Sequence, residues 1–287
     1  MRCSSPISIK DPRDSLGSSR IEVPCGKCGQ CKANRRIQWS FRIAEEFRIA
    51  KSAYFITLTY RPEMLPRNQN GRPTLSKQDL TLFFKRIRKQ NKKYTDVKFT
   101  YYAVGEYGSR TFRPHYHVIA FNLDMRLVRN LQTFWYKDDV PLGIVDVRPV
   151  NGGRIHYVTK YHVNVDKERS KGFGVEPEFT RMSKGIGKDY IKRAYKWHKN
   201  GNKFYVINNG FKQLLPRYFK EKIFSDMNPI TKDILMAGVI KDSDTRYAKE
   251  VERLMREGYR EPTHEIDHRN IKESERILKD SKNRDIL

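Results

Sequence analysis

The sequence predicts an α+β protein: a mostly antiparallel sheet with helices packed on one face. Three observations predict it. Apolar, β-branched and aromatic runs of strand length stop at Pro, Gly or Asn. Between them lie segments whose apolar residues recur every three or four positions. The two kinds follow one another as β-α-β-β-α-β-α, which is a ferredoxin-like order.

The first strand is "AYFITLTY" (53–60), stopped by Arg61-Pro62. "LSKQDLTLFFKRIRKQNKK" then places Leu80, Phe83, Phe84 and Ile87 on one helical face, with Ser76 as N-cap. "VKFTYYAVGEYG" and "HYHVIAFNL" are two strands joined by a short loop. "DMRLVRNLQTFWYK" reads as a helix with Leu127, Leu131 and Phe134 or Trp135 inward, and "GIVDVRPV" as an alternating strand. "GGRIHYVTKYHVNV" reads as a helix entered through Asn151-Gly152-Gly153; its β-branched content leaves a strand as the alternative. Upstream, Trp39, Ile43, Phe47 and Ala50 recur at helical spacing.

Charge is the strongest compositional signal. Lys and Arg number 58 against 33 Asp and Glu, a net charge of +25. Residues 241–287 hold 12 of each sign, so the whole excess lies in residues 1–240. Nucleic acid is the usual partner of such a surface. The balanced tail reads as one or two exposed helices or a partly disordered segment. No run of 18 apolar residues exists, so no membrane span is expected. "MRCSSPISIK" has no apolar signal region, so secretion is not expected. The expected division is a Cys-rich arm and helix (1–50), a core (51–225) and a charged tail (226–287).

Two histidines stand out in "RPHYHVIAF" (113–121). Side chains alternate along a strand, so His115, His117, Ile119 and Phe121 share one face, and Tyr116, Val118 and Ala120 the other. Two imidazoles so placed are either satisfied core residues or a two-nitrogen metal site. Two ligands bind weakly, and Glu106, ending the preceding strand, is placed to add a carboxylate. Such a set leaves positions open for a divalent ion to act as a Lewis acid on a phosphate. Mg or Mn suits that chemistry, and His ligands also suit zinc.

In "YVTKY" (157–161), a helix puts Tyr157 and Tyr161 one turn apart on one face, with Lys160 near Tyr157. They are either packed tyrosines with hydroxyls outward or nucleophiles. A phenol needs a metal and a cation to act as a nucleophile on phosphate.

With these motifs together, the sequence resembles the HUH endonucleases that serve rolling-circle replication. "FITLTY" is similar to that family's first motif, "HYH" to its second and "YVTKY" to its third. "VPCGKCGQC" followed by "RRIQWSFRI" resembles, more narrowly, the replication initiators of gokushovirus-type microviruses. The resemblance covers roughly residues 1–225. It implies an HUH core, His115 and His117 as metal ligands, and Tyr157 and Tyr161 as alternating nucleophiles. It also implies a 5′-phosphotyrosine link, a freed 3′-hydroxyl, and work with a host polymerase and helicase in the bacterial cytoplasm. Glu106 carries over less directly, because the family's acidic ligand varies in place and type. Tyr116 departs from the family's usual aliphatic residue, a change expected to touch packing only.

Cys25, Cys28 and Cys31 form C-x2-C-x2-C, and Cys3 can supply a fourth thiolate. Four thiolates suit a structural zinc; an iron–sulfur cluster is the alternative. Nearby Lys27, Lys32, Arg35 and Arg36 are candidate phosphate contacts. The expected function is a replication initiator that nicks single-stranded and origin duplex DNA. The alternatives are a plasmid initiator, relaxase or transposase of the same chemistry, or a non-catalytic zinc-dependent nucleic-acid-binding protein.

Overall fold

The computed structural model describes residues 3–15, 17–108, 110–161, 170, 172–208 and 210–279. In chain order, β1 (Ile7–Lys10) and β2 (Arg20–Val23) pair ahead of α1 (Gly29–Ile49). Then come β3 (Ala53–Thr59), α2 (Lys77–Asn91), β4 (Thr100–Tyr107) and β5 (Pro114–Phe121). A one-turn α3 (Met125–Val128), short strands β6 (Tyr136–Lys137) and β7 (Val140–Pro141), β8 (Val145–Pro149) and α4 (Gly152–Tyr161) follow. After β9 (Phe179–Met182) come α5 (Asp189–Asn200), β10 (Tyr205–Asn208), β11 (Phe211–Leu214), α6 (Arg217–Ile223), α7 (Pro229–Arg256) and α8 (Pro262–Lys279). The protein is α+β, and residues 39–190 form one compact unit; residues 1–38 with 191–287 form another.

The first unit is built on a five-stranded sheet of order β8-β3-β5-β4-β9. Every neighbouring pair in it is antiparallel. Ser76 caps α2 as the sequence predicts, its hydroxyl accepting from Asp79 N at 3.1 Å. Leu80, Phe83, Phe84 and Ile87 are buried against Ile56, Leu58, Tyr116, Val118 and Ala120.

Helices on one face only were expected, and here the structure corrects the reading. On the other face, Ile43 of α1 and Ile155 and Val158 of α4 pack with Phe55, Tyr102, Val104, Ile119 and Phe121. The sheet is buried on both sides, which is why β5 is apolar on both. Phe47, expected inward on α1, is 41% exposed.

The expected helix over 124–137 is also broken. After α3, Asn130 leaves helical geometry and a 3-10 turn covers Leu131–Phe134. The break lets Trp135 sink fully into the core and donate from its indole to Thr59 O at 2.8 Å. The returning chain then passes so close that a Cβ on Gly143 would sit 2.0 Å from Thr59 O.

In the second unit, Phe219, Ile223, Phe224 and Leu254 are buried. Ser274 of α8 lies against Gly29, where a Cβ would come within 3.1 Å of its hydroxyl. The tail expected to be exposed or partly disordered is therefore helical over Pro229–Arg256 and Pro262–Lys279 and contributes buried residues. Among the described residues, no helix is long and apolar enough to cross a membrane.

Candidate metal centres and the adjoining tyrosine

Strand register assembles the first centre. Glu106 pairs His115 across β4 and β5, and Thr59 and Thr57 on β3 pair His115 and His117. Paired residues point to the same side of a sheet. The apolar row Tyr102–Ile119–Phe55 therefore gives way, further along the strands, to a polar group of Thr57, Thr59, Glu106, His115 and His117.

The Glu106 carboxylate Oε1 lies 2.6 Å from His115 Nε2 and 3.0 Å from His117 Nε2. One ligand atom from each residue falls within 4.8 Å of the others. Glu106 is 3% exposed. Burial opposes its charge, yet hydrogen bonds from His115 and His117, and their charge, hold it down at about 2. Burial also opposes charge on His115, but the Glu106 carboxylate outweighs it and pushes that imidazole above its ordinary value.

The second ring nitrogens fix the rings. His115 Nδ1 donates to the Arg113 carbonyl at 3.0 Å, and His117 Nδ1 meets Thr57 Oγ1 at 3.2 Å. A neutral His115 with its proton on Nδ1 turns a lone pair toward a carboxylate lone pair at 2.6 Å. A proton or a cation must lie between them. The other carboxylate oxygen, Glu106 Oε2, is buried with no hydrogen-bond partner among the described residues. Such an orphan costs about 1–3 kcal/mol. Both features fit a divalent ion held by Glu106, His115 and His117.

Tyr157 adjoins this centre. Asn151 Oδ1 accepts from Arg154 N at 2.9 Å and starts α4. Buried Thr159 meets Ser40 of α1 at 2.9 Å, and Ile155 and Val158 face the sheet. The Tyr157 hydroxyl then lies 3.3 Å from His117 Nε2. Phe55 supports the arrangement, stacked on His117 at 5.3 Å and edge-on to Tyr157 at 6.2 Å. The side chains of Lys160 and Tyr161 lie outside the described residues.

The structure also brings Cys3, Cys25, Cys28 and Cys31 together, with one sulfur from each inside 4.8 Å of the rest. Cys3 Sγ is 3.5 Å from Cys25 Sγ and 3.7 Å from Cys28 Sγ. Four sulfurs about 2.3 Å from one tetrahedral ion stand about 3.8 Å apart. Backbone N–H groups of Lys27 and Cys28 donate to Cys25 Sγ at 3.4 and 3.3 Å. With the N–H of Cys28 leading, they draw the Cys25 thiol below its usual value. Burial opposes charge on Cys28, but donors from Cys31 and Ser4 bring it to about 6. Burial pushes Cys31 up to about 12.

Of the candidate phosphate contacts, Lys27 and Arg35 are exposed and Lys32 is half-buried. Arg36 is a correction: it is 4% exposed, and its guanidinium donates to the Ile277 carbonyl. A phosphate cannot reach it without displacing that contact.

Two supporting residues were missed in the sequence. Thr57 shares the face of Thr59 in "FITLTY", so its place beside His117 was available from strand alternation. Tyr116, expected to affect packing only, carries polar contacts. Its hydroxyl accepts from Ser76 N at 2.8 Å, donates to Ser76 O at 3.0 Å and meets Tyr60 at 2.9 Å. Tyr60 donates to Asp79. This network ties the strand between the two histidines to the start of α2.

Comparison with known proteins meets this geometry where the motifs lie. The family model for replication-associated protein ORF2 matches residues 53–166, the segment holding Glu106, both histidines and Tyr157. The resemblance read from the sequence holds. The chain is similar to replication-associated protein ORF2 of Spiroplasma virus 4, 29% identical over 70% of this chain and 67% of that protein. It is also similar to replication-associated protein ORF4 of Chlamydia phage 1, 27% identical over 69% of this chain and 53% of the relative. Replication-associated protein VP4 of Bdellovibrio phage phiMH2K is 26% identical over 69% of this chain and 66% of the relative. The aligned region thus spans between about half and two thirds of these relatives' lengths. No solved structure matches the chain.

Proposed function

We propose that this protein is a phage replication initiator of the gokushovirus type. On this reading residues 39–190 hold a ferredoxin-like HUH endonuclease core that nicks and rejoins one DNA strand. The observation that carries the reading is the Tyr157 hydroxyl 3.3 Å from a ring nitrogen of a Glu106–His115–His117 centre. The names of the phage relatives add support.

Glu106, His115 and His117 would hold the catalytic divalent ion, Mg or Mn. When bound, such an ion supplies Lewis acidity to a phosphate oxygen. Arg113 O and Thr57 keep the two rings aimed. The Tyr157 oxygen attacks phosphorus and gives up its proton. The bond from phosphorus to the 3′-oxygen breaks, and that oxygen takes a proton to become the 3′-hydroxyl primer. The 5′-phosphate remains on tyrosine, and in the reverse reaction a 3′-hydroxyl displaces the tyrosine and rejoins the strand. Lys160 would steady the phenolate, and Tyr161 would serve as the second nucleophile.

The four cysteines would form a structural zinc site of the N-terminal arm. The sulfur spacing favours a single tetrahedral ion, since an iron–sulfur cluster holds its thiolates on separate irons, farther apart. Lys27, Lys32 and Arg35 would contact phosphates. A host polymerase and helicase would act with the protein in the bacterial cytoplasm.

The test is a denaturing gel of full-length protein incubated with single-stranded origin DNA and Mn2+. A protein–DNA adduct that disappears with chelator and in His117→Ala supports the reading. A full yield in excess chelator, or no adduct from metal-loaded wild type, contradicts it and leaves the non-catalytic binding protein.

A further inference from the structure

Residues 189–223 carry nine Lys and Arg against two acidic residues. Part of this stretch builds one exposed surface. In the β10–β11 hairpin Tyr205 pairs Leu214 and Ile207 pairs Lys212, so these four share a face. Val206, on the opposite face, is buried. Ile207 is 59% exposed and Leu214 62%, so apolar side chains are left in water. Trp197 of α5 extends the face, meeting the Tyr205 ring edge-on at 5.7 Å and 84°. Lys203 Nζ lies 4.4 Å over the Trp197 ring, and Lys212 Nζ 4.8 Å over the Tyr205 ring. Neither ammonium has an acidic partner among the described residues.

We propose that Trp197, Tyr205, Ile207 and Leu214, with Lys203 and Lys212, bind single-stranded DNA by stacking. Unpaired bases offer π faces to the two rings and apolar area to Ile207 and Leu214. The phosphates between them take the two ammoniums. A duplex hides its base faces and can use only the lysines. An acidic protein would match the charge, but cations set over aromatic faces suit a ligand that alternates π faces with phosphates. The inference deepens the proposed function, since nicking needs a held single strand. No residue of this surface belongs to either metal centre.

The test uses the full chain and fluorescence anisotropy at fixed salt. The probes are an oligothymidine of about 20 nucleotides, an abasic strand of the same length, and a duplex. Trp197→Ala with Tyr205→Ala should lower affinity for oligothymidine tenfold or more, at roughly 1–3 kcal/mol per stacked base. Binding of the abasic strand and the duplex should stay nearly unchanged. Lys203→Gln with Lys212→Gln disturbs no buried side chain. It should flatten the log–log salt dependence by about 0.7 per cation. His117→Ala should bind oligothymidine like wild type, so failure of the nicking assignment is separable from failure here. Unchanged oligothymidine affinity in both double variants would overturn the proposal, as would an equal loss on the abasic strand. Loss of binding to phosphatidylserine vesicles, with oligothymidine binding intact, would overturn it in favour of lipid.

Discussion

The two metal-ligating clusters are built in opposite ways. The cysteine cluster offers four sulfurs from a loop, a C-x2-C-x2-C turn and the start of α1, and backbone N–H groups converge on those sulfurs. The Glu106 cluster offers three ligands from two rigid strands, one carboxylate oxygen without a partner, and a tyrosine hydroxyl at its edge. Four protein ligands close a coordination sphere, whereas three leave positions for a substrate. The contrast separates a site that holds a fold from a site that does chemistry, and each can be broken alone.

The largest effect is expected at the open cluster. His117→Ala should lower the nicking rate by on the order of a thousandfold and leave affinity for single-stranded DNA within a few-fold. A quantitative nicking assay beside an anisotropy titration checks both. Equal loss of binding and nicking would make the cluster structural and erase the contrast.

At the closed cluster the effect should fall on stability. Protein purified without added metal should carry about one zinc per chain. Cys28→Ser should release it and lower Tm by on the order of 10 °C. Metal analysis with thermal unfolding decides the matter, and an unchanged Tm in zinc-free protein would remove the structural role.

A smaller effect distinguishes ligands from their support. Tyr116→Phe keeps the ring but leaves Ser76 groups without their hydroxyl partner, so stability should fall by about 1–3 kcal/mol in urea unfolding. The nicking rate should change only a few-fold. A loss like that of His117→Ala would mean that Tyr116 holds the ligands in place.

The mildest test is pH. His115 in the metal-free protein keeps its proton to a pH above the ordinary imidazole value. Metal must expel that proton, so metal affinity should fall as pH drops through the raised pKa, by about tenfold per unit for one proton. In the metal-free protein the stability given by charged His115 is present at lower pH and lost as pH rises through that same pKa. The Glu106 contribution is lost only as pH falls toward about 2. Metal binding that is flat from pH 8 to pH 5, on the order of the usual imidazole range, would place the ion elsewhere.

Much of the first unit was legible in its sequence because local signals agreed there. β3, α2, β4, β5, β8 and α4 each have a clear period, a cap or a stop. Alternation in "HYHVIAF" placed both imidazoles on one face, and a short loop carried Glu106 to them. The second layer of helices was less legible, although Val118 and Ala120 on one side with Ile119 and Phe121 on the other already imply burial on both faces. The break after α3 had no local signal, because it exists to bury Trp135 against residues far along the chain. The Tyr116 network was hidden for the same reason: its partners are Tyr60 and Ser76. In the second unit, β10 and β11 are four-residue strands, too short for periodicity to speak.

The central claim is that the open cluster serves the tyrosine at its edge. The most direct measurement maps the residue linked to DNA after reaction of full-length protein with single-stranded origin DNA and Mn2+. Wild type, Tyr157→Phe and the Tyr157→Phe/Tyr161→Phe double variant are compared on a denaturing gel. The account predicts a wild-type adduct that maps to Tyr157, and no adduct in the double variant. A full-yield adduct in the double variant, or a link mapped outside α4, would contradict it.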